Sequence, residues 1–138
     1  WMYEGGTREP LIIKWKGNVK PGTYFDVPVT SPDFYPTICE MIGAFVSKNV
    51  SGESLVDLLR GNSCENLMNR PIFWHYPHYA NQGGSPGSSV RKGRYKLIEF
   101  YESDSYELYD VVEDPGENNN LINVKLYLAI ELKIEDIT

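Results

Sequence analysis

The chain has 138 residues, enough for one domain with a core, and its 41% hydrophobic and 13% aromatic content is typical of a globular protein. Its formal net charge of −6 argues against non-specific nucleic-acid binding, which needs lysine and arginine to displace counterions. No stretch approaches the roughly 20 apolar residues of a membrane-spanning helix. Neither nucleic acid nor a membrane is therefore expected as a partner.

The first residues, "WMYEGGTREPLIIKWKG", have the pattern of a turn that leads into a strand. Gly5 and Gly6 can adopt backbone angles that cost other residues energy, and Pro10 favours extended geometry before it. The apolar run at 11–15, bounded by Gly17, predicts a strand. The chain does not begin with methionine or a signal-like segment, so we expect it to be a piece of a longer protein.

Two helices are predicted before residue 63. In the first, Ser31 is the expected N-cap, Pro32 suits the first helical position and Gly43 ends the helix. Its apolar residues at helical spacing are Phe34, Ile38, Met41 and Ile42. The second, in "SGESLVDLLRGN", is very short and stops at Gly61, and its inward residues are Leu55, Leu58 and Leu59.

The second half of the chain reads as strands. "RPIFWHYPHY" predicts a strand that Pro77 limits, followed by a flexible loop over residues 82–89. "VRKGRYKLIEFYE" and "SYELYDVVEDPGE" predict two strands of an antiparallel hairpin with "ESDS" as the turn. "EDPGENNN" reads as a solvated turn without chemistry.

The tail, "INVKLYLAIELKIEDIT", is ambiguous by pattern. Strict alternation from Val124 to Ile134 favours a strand, whereas Leu126, Ala129, Ile130, Lys133, Ile134 and Ile137 form a helical stripe of good helix formers.

Five motifs, "YEGGTREP", "SPDFYPTI", "GESLVDLLRG", "VRKGRYKLI" and "ELYDVVEDPGENNNL", together resemble the C-terminal portion of type I sulfatases of the alkaline-phosphatase-like superfamily. The resemblance implies an α/β (α+β) piece: the last strand and helices of the large domain, then a small antiparallel sheet with a packed C-terminal helix. It places the division at residues 1–62 and 63–138, and it favours helix for the tail. It also favours a periplasmic or secreted protein.

Members of that family cleave sulfate esters with a formylglycine nucleophile made in a "C/S-x-P-x-R" motif, and they hold calcium with Asp and Asn residues. Neither Cys39 nor Cys64 has Pro and Arg at those offsets, and the acidic residues are scattered rather than convergent. No catalytic residue, metal site or cofactor is therefore assigned to this chain, while formylglycine and calcium are implied for the full-length enzyme. Whether the two cysteines form a disulfide stays open.

Four residues are candidates for substrate binding. His75 and His78 lie in the aromatic stretch "FWHYPHY" with Trp74, where rings could stack on a sugar and imidazoles could donate to hydroxyl or sulfate oxygens. Burial in an ordinary core is the competing interpretation. Arg8 could bind sulfate through its fork of donors, or form an ion pair that fixes the turn.

The predicted function is that of a sulfatase fragment, inactive alone, whose full-length form acts on a sulfated carbohydrate or aryl sulfate. Its expected partners are that substrate, the missing N-terminal domain, and a second copy through an unpaired strand edge. Two alternatives remain: a non-catalytic sugar-binding or interaction module, and part of a phosphodiesterase or phosphonate hydrolase of the same superfamily. The upstream sequence would separate the three.

Overall fold

The structure of the protein, a computed structural model, describes residues 2–79, 81 and 83–137. In chain order its helices are α1 (Glu4–Thr7), α2 (Phe34–Met41), α3 (Val56–Leu59), α4 (Glu65–Asn69) and α5 (Leu126–Ile137), and a 3-10 helix, Ser31–Asp33, precedes α2. Its strands are β1 (Pro71–Tyr76), β2 (Gly87–Lys92), β3 (Tyr95–Phe100) and β4 (Ser105–Asp110). The chain divides into two compact units, residues 11–69 and residues 1–10 with 70–138.

The sheet unit is a four-stranded antiparallel sheet in the order β1-β2-β3-β4. On one face, Ala129 and Leu132 of α5 join a buried cluster with Val90, Leu97 and Leu108. Because successive strand residues point to opposite faces, the neighbours of these strand residues form a second cluster. That cluster contains Met2, Ile98, Tyr109 and Val111, so the N-terminal segment covers the other face.

The helical unit is built around buried leucines and one buried carboxylate. Leu55, Leu58 and Leu59 are buried as predicted, and Gly61 follows α3 with φ +83°. The 3-10 helix that precedes α2 has Thr30 as its N-cap, one residue before the predicted Ser31. The Asp33 carboxylate accepts the backbone N–H of Thr30 at 2.7 Å, as in a capping box. The same fully buried carboxylate accepts the N–H of Glu53 at 2.9 Å and so ties a loop to the helix start.

The strand predicted at residues 11–15 is wrong. The stretch has no regular secondary structure, and Ile12 is 92% exposed. A strand forms only where its backbone pairs with another strand, and none of the described residues pairs with this stretch. The apolar residues predicted at helical spacing in the first helix are largely exposed, with Ile38 at 56% and Ile42, which follows α2, at 73%.

The predicted strand "VRKGRYKLIEFYE" is two strands. Gly93, with φ +58°, takes the first position of a two-residue turn between Lys92 and Tyr95, which are paired. A glycine at this position is typical of tight hairpins, and it was missed because the flanking residues suit a strand. The predicted loop over residues 82–89 is likewise shorter, since β2 begins at Gly87.

The tail is helical, as the family resemblance favoured, and the predicted stripe is only partly the buried one: Ala129 faces inward, while the side chains of Ile134 and Ile137 lie outside the described part. Its inward residues are Leu128, Ala129 and Leu132, while Leu126 and Ile130 are 60% and 52% exposed. Cys39 and Cys64 both carry free thiols. Among the helices of the described residues, none is long and apolar enough to cross a membrane. The division at residues 1–62 and 63–138 concerns a longer protein and stays a prediction.

Candidate functional site: a histidine–tyrosine surface and a buried ion cluster

Five exposed ring-bearing residues lie around one end of the sheet. We call them the histidine–tyrosine surface: His75, Tyr76, His78, Tyr79 and Tyr101. Pro77 has no N–H for the ladder, and β1 ends just before it. Strands β1 and β3 are both antiparallel to β2, which lies between them, so their last residues are at the same end of the sheet. Tyr101 follows β3 there and begins the turn to β4. Residues far apart in sequence therefore meet.

The rings of this surface contact one another in pairs. The Tyr101 hydroxyl lies 2.9 Å from Nδ1 of His75, and the ring centroids are 5.9 Å apart. Tyr76 and His78 make an edge-to-face contact with centroids 5.7 Å apart. Tyr79 donates to Oε1 of Glu102 at 2.5 Å, and this hydrogen bond raises the pKa of the tyrosine. Because successive strand residues point to opposite faces, the His75–Tyr101 pair and Tyr76 lie on opposite faces at this end of the sheet. Each pair offers flat ring faces beside imidazole and phenol groups.

The four predicted site residues fall in different places. His75 is exposed and pairs with Ser88 near the start of β2, and His78 is exposed beyond the end of β1. Trp74 is half-buried and packs against the cluster that contains Met2, on the face opposite His75. Arg8 is exposed, and its backbone N–H donates to the carbonyl of Glu4 at 2.8 Å.

The N-terminal turn is fixed by charges other than Arg8. We call Glu4, Arg91, Lys96 and Glu117 the buried ion cluster. Lys96, whose side chain is 0% exposed, places Nζ 3.2 Å from Oε1 of Glu4 and 3.2 Å from Oε1 of Glu117. Arg91 lies 3.3 Å from Oε2 of Glu4. The backbone N–H of Glu4 donates to Glu117 at 2.6 Å, so α1 is held through both its side chain and its backbone.

A glutamate-centred contact lies beside this cluster. Tyr3 and Tyr109 both donate to Oε2 of Glu107, at 2.8 and 2.9 Å. Burial, and then the hydrogen bond to Glu107, raises the pKa of both phenols, so both stay protonated at neutral pH. The two tyrosines extend the attachment of the N-terminal segment to the sheet.

Sequence reasoning missed the ion cluster. Glu117 belongs to the stretch interpreted as a solvated turn, and that interpretation is wrong because its side chain is only 3% exposed and pairs with Lys96. A signal was available, because three of the motifs that carry the family resemblance supply all four charges: "YEGGTREP" contributes Glu4, "VRKGRYKLI" contributes Arg91 and Lys96, and "ELYDVVEDPGENNNL" contributes Glu117.

The described residues contain no group of three or more His, Cys, Asp or Glu side chains that could hold a metal ion. Neither cysteine lies in a "C/S-x-P-x-R" motif. Within the described part of the chain, the residues therefore do not fit a calcium site, and neither cysteine fits a formylglycine nucleophile, so no catalytic step is assigned to them. What the arrangement can do is bind: rings can stack on a sugar, and N–H and O–H groups can contact its oxygens.

Comparison with solved structures identifies the class of protein that has this fold. A sulfatase structure from Bacteroides thetaiotaomicron matches with a TM-score of 0.58 and 32% identity, over 76% of this chain and 22% of that one. A second structure, of a protein in complex with its substrate D-glucosamine-2-N,6-O-disulfate, matches with a TM-score of 0.59 and 31% identity, over 73% of this chain and 21% of that one. The architecture is that of the C-terminal portion of sulfatases of the alkaline-phosphatase-like fold, as the sequence predicted.

Comparison with protein families assigns the chain to one family of sulfatase C-terminal domains. Residues 1–137 match the family described as N-sulphoglucosamine sulphohydrolase, C-terminal, and the chain belongs to this family. A sulfatase of Formosa agariphila is 35% identical over 130 residues, which cover 87% of this chain and 24% of the relative. An N-acetylglucosamine-6-O-sulfatase of Bacteroides thetaiotaomicron is 30% identical, over 92% and 23%. The chain thus spans about a quarter of the length of these relatives.

Proposed function

We propose that this chain forms the C-terminal part of a carbohydrate sulfatase, and that the histidine–tyrosine surface contacts the sulfated sugar. The observation that carries the proposal is the grouping of exposed imidazole and phenol rings at one end of the sheet. Relatives named for sugar sulfates support the choice of substrate class. The nucleophile and the calcium ligands of such an enzyme would come from residues other than those of this chain.

The chemistry of the surface suits a sulfated sugar. Tyr76 and Tyr79 are 38% and 69% exposed, and their faces can stack on the C–H groups of a pyranose ring. Imidazole N–H groups on His75 and His78 can donate to hydroxyl or sulfate oxygens. Since the chain as a whole carries a net charge of −6, an anionic ligand depends on such local donors rather than on long-range attraction.

A titration followed by NMR tests the proposal on this chain. N-acetylglucosamine 6-sulfate is added to labelled protein, with N-acetylglucosamine as the unsulfated control. We expect backbone shifts centred on residues 75–79 and 101, larger for the sulfated sugar. Replacing His78 with Ala should weaken binding by about fivefold or more, because one lost hydrogen bond costs roughly 1–3 kcal/mol.

A matched pair of tyrosine variants controls for non-specific stacking. Tyr76→Ala should reduce the response, whereas Tyr127→Ala, which removes an 84% exposed tyrosine on α5, should leave it unchanged. Equal responses to both sugars, or shifts confined to other parts of the chain, would contradict the proposal.

A further inference from the structure

The contact between Tyr101 and His75 links the ends of β1 and β3, which lie on either side of β2. His75 lies on β1, Tyr101 directly follows β3, and β2 runs between them. The backbone of Tyr101 is held beside the start of β2, since its N–H donates to the carbonyl of Pro86, the residue before β2, at 3.0 Å. The tyrosine therefore reaches His75 from an anchored backbone.

The chemistry of the pair decides which ring nitrogen of His75 carries the proton. A neutral imidazole has one N–H and one acceptor nitrogen, and the hydrogen bond made by one nitrogen sets the state of the other. The acceptor nitrogen is more basic than a phenol oxygen, because imidazole takes up a proton near pH 6.5. A Tyr101 hydroxyl that donates to Nδ1 across this 2.9 Å contact leaves Nε2 as the nitrogen that carries the hydrogen.

We propose that Tyr101 is a positioning residue that holds the His75 ring in its Nε2–H form and in a fixed orientation, so that Nε2 presents a donor to an oxygen of a sulfated sugar. The part that concerns the ligand rests on the proposed function. The part that concerns the tautomer and the ring orientation rests on the contact alone. Tyr101 itself is 41% exposed, so its replacement leaves the core intact.

Long-range proton–nitrogen correlation of the imidazole rings tests the positioning directly. The chain has only two histidines, so His78 serves as an internal reference. At about pH 8.5, well above the pKa of a free imidazole, we expect His75 in the Nε2–H form with a hydrogen-bonded Nδ1. In Tyr101→Phe the ring stays and the hydroxyl is lost, so the Nδ1 resonance of His75 should move while that of His78 does not.

Tyr76→Phe is the matched control. It removes one hydroxyl beside His78 and keeps the edge-to-face contact, so the Nδ1 resonance of His75 should stay where it is. An Nδ1–H form of His75 in the wild type, or an unchanged His75 spectrum in Tyr101→Phe, overturns the inference.

The ligand part has a separate readout. N-acetylglucosamine 6-sulfate should bind Tyr101→Phe several-fold more weakly than wild type. Tyr76→Phe should lose less affinity than Tyr101→Phe. Equal binding by wild type and Tyr101→Phe overturns the ligand part alone. No response of the wild type to the sulfated sugar overturns the proposed function together with that part, while the nitrogen spectra still decide the positioning of His75.

Discussion

Lys96 is the residue on which the attachment of the N-terminal turn depends. Its ammonium group is fully buried, and removing an ion from water costs several kcal/mol unless opposite charges and hydrogen bonds compensate. Glu4, Glu117 and the hydroxyl of Thr7, 3.3 Å away, supply that compensation. The positive charge is thus stabilised by two carboxylates, of which Glu4 also pairs with Arg91.

Replacing Lys96 with Met should lower the free energy of unfolding by about 3–5 kcal/mol, because it leaves buried carboxylates with less positive charge nearby. Urea denaturation followed by circular dichroism measures the loss. Lys48→Met, at an exposed lysine, should change stability by less than about 0.5 kcal/mol.

A double variant tests whether uncompensated charge is the cause of that loss. Glu117→Gln added to Lys96→Met removes one unpaired carboxylate, so the double variant should be more stable than Lys96→Met alone. A double variant that is less stable would show that the loss comes from packing rather than from charge.

At the scale of single elements, β2 depends on a residue without a side chain. A Cβ on Gly87 would lie 2.4 Å from the backbone carbonyl oxygen of Glu99 in β3, closer than real contacts allow. Gly87→Ala should therefore cost about 1–3 kcal/mol of stability, as overpacked sites do. Gly5→Ala in α1, where nothing lies within 4 Å, should be neutral or slightly stabilising. Similar melting curves for the two variants would contradict this account.

The turn after β4 should give stability a measurable acid dependence. Asp114 accepts the backbone N–H of Asn119 at 2.7 Å, and this bond, with others from Asn118 and Asn119, holds the pKa of the carboxyl below its usual value. A lowered folded-state pKa contributes stability above the unfolded value of about 3.9 and loses it as pH falls through the folded one. Asp114→Asn should be less stable than wild type at pH 7, with the difference shrinking below about pH 4. A constant difference from pH 7 to pH 2 would refute this.

The elements that sequence predicts well are those whose signal is local. β1 ends just before a proline, β4 follows a polar turn, and α3 is followed closely by a glycine. The residues of each segment are therefore enough to predict where these elements lie. The stretch at residues 11–15 has the same apolar signal as a strand, yet pairing is a property of two segments and cannot be read from one. The inward face of α5 escaped prediction for the same reason, because the sheet selects it.

In the candidate site, too, the residues with a local sequence signal could be predicted, and those that depend on distant partners could not. His75 and His78 stand out in sequence because they are the only histidines and lie among aromatic residues. Tyr101 is 26 residues from His75 and becomes its partner only through the strand order. Lys96 reads as a surface lysine, since nothing in its own strand shows that two distant glutamates neutralise it.

At the scale of the whole molecule, we expect this chain to hydrolyse no aryl sulfate, with or without added calcium. Neither cysteine has the motif that becomes formylglycine, and the described residues provide no group of three metal-ligating side chains. A fluorogenic aryl sulfate, with an active sulfatase as positive control, measures turnover. Activity above the blank that survives repurification would contradict the expectation.

The attachment of α1 to the sheet has a consequence for the order of folding. Strands β2 to β4 are joined by short turns and can pair early, whereas Glu4 must close a loop of 92 residues to reach Lys96. We therefore expect the ammonium group to stay hydrated until the sheet has formed, and to lose its water when the N-terminal segment docks. Interactions that form late in folding affect the unfolding rate more than the folding rate, so we expect the ion cluster to slow unfolding.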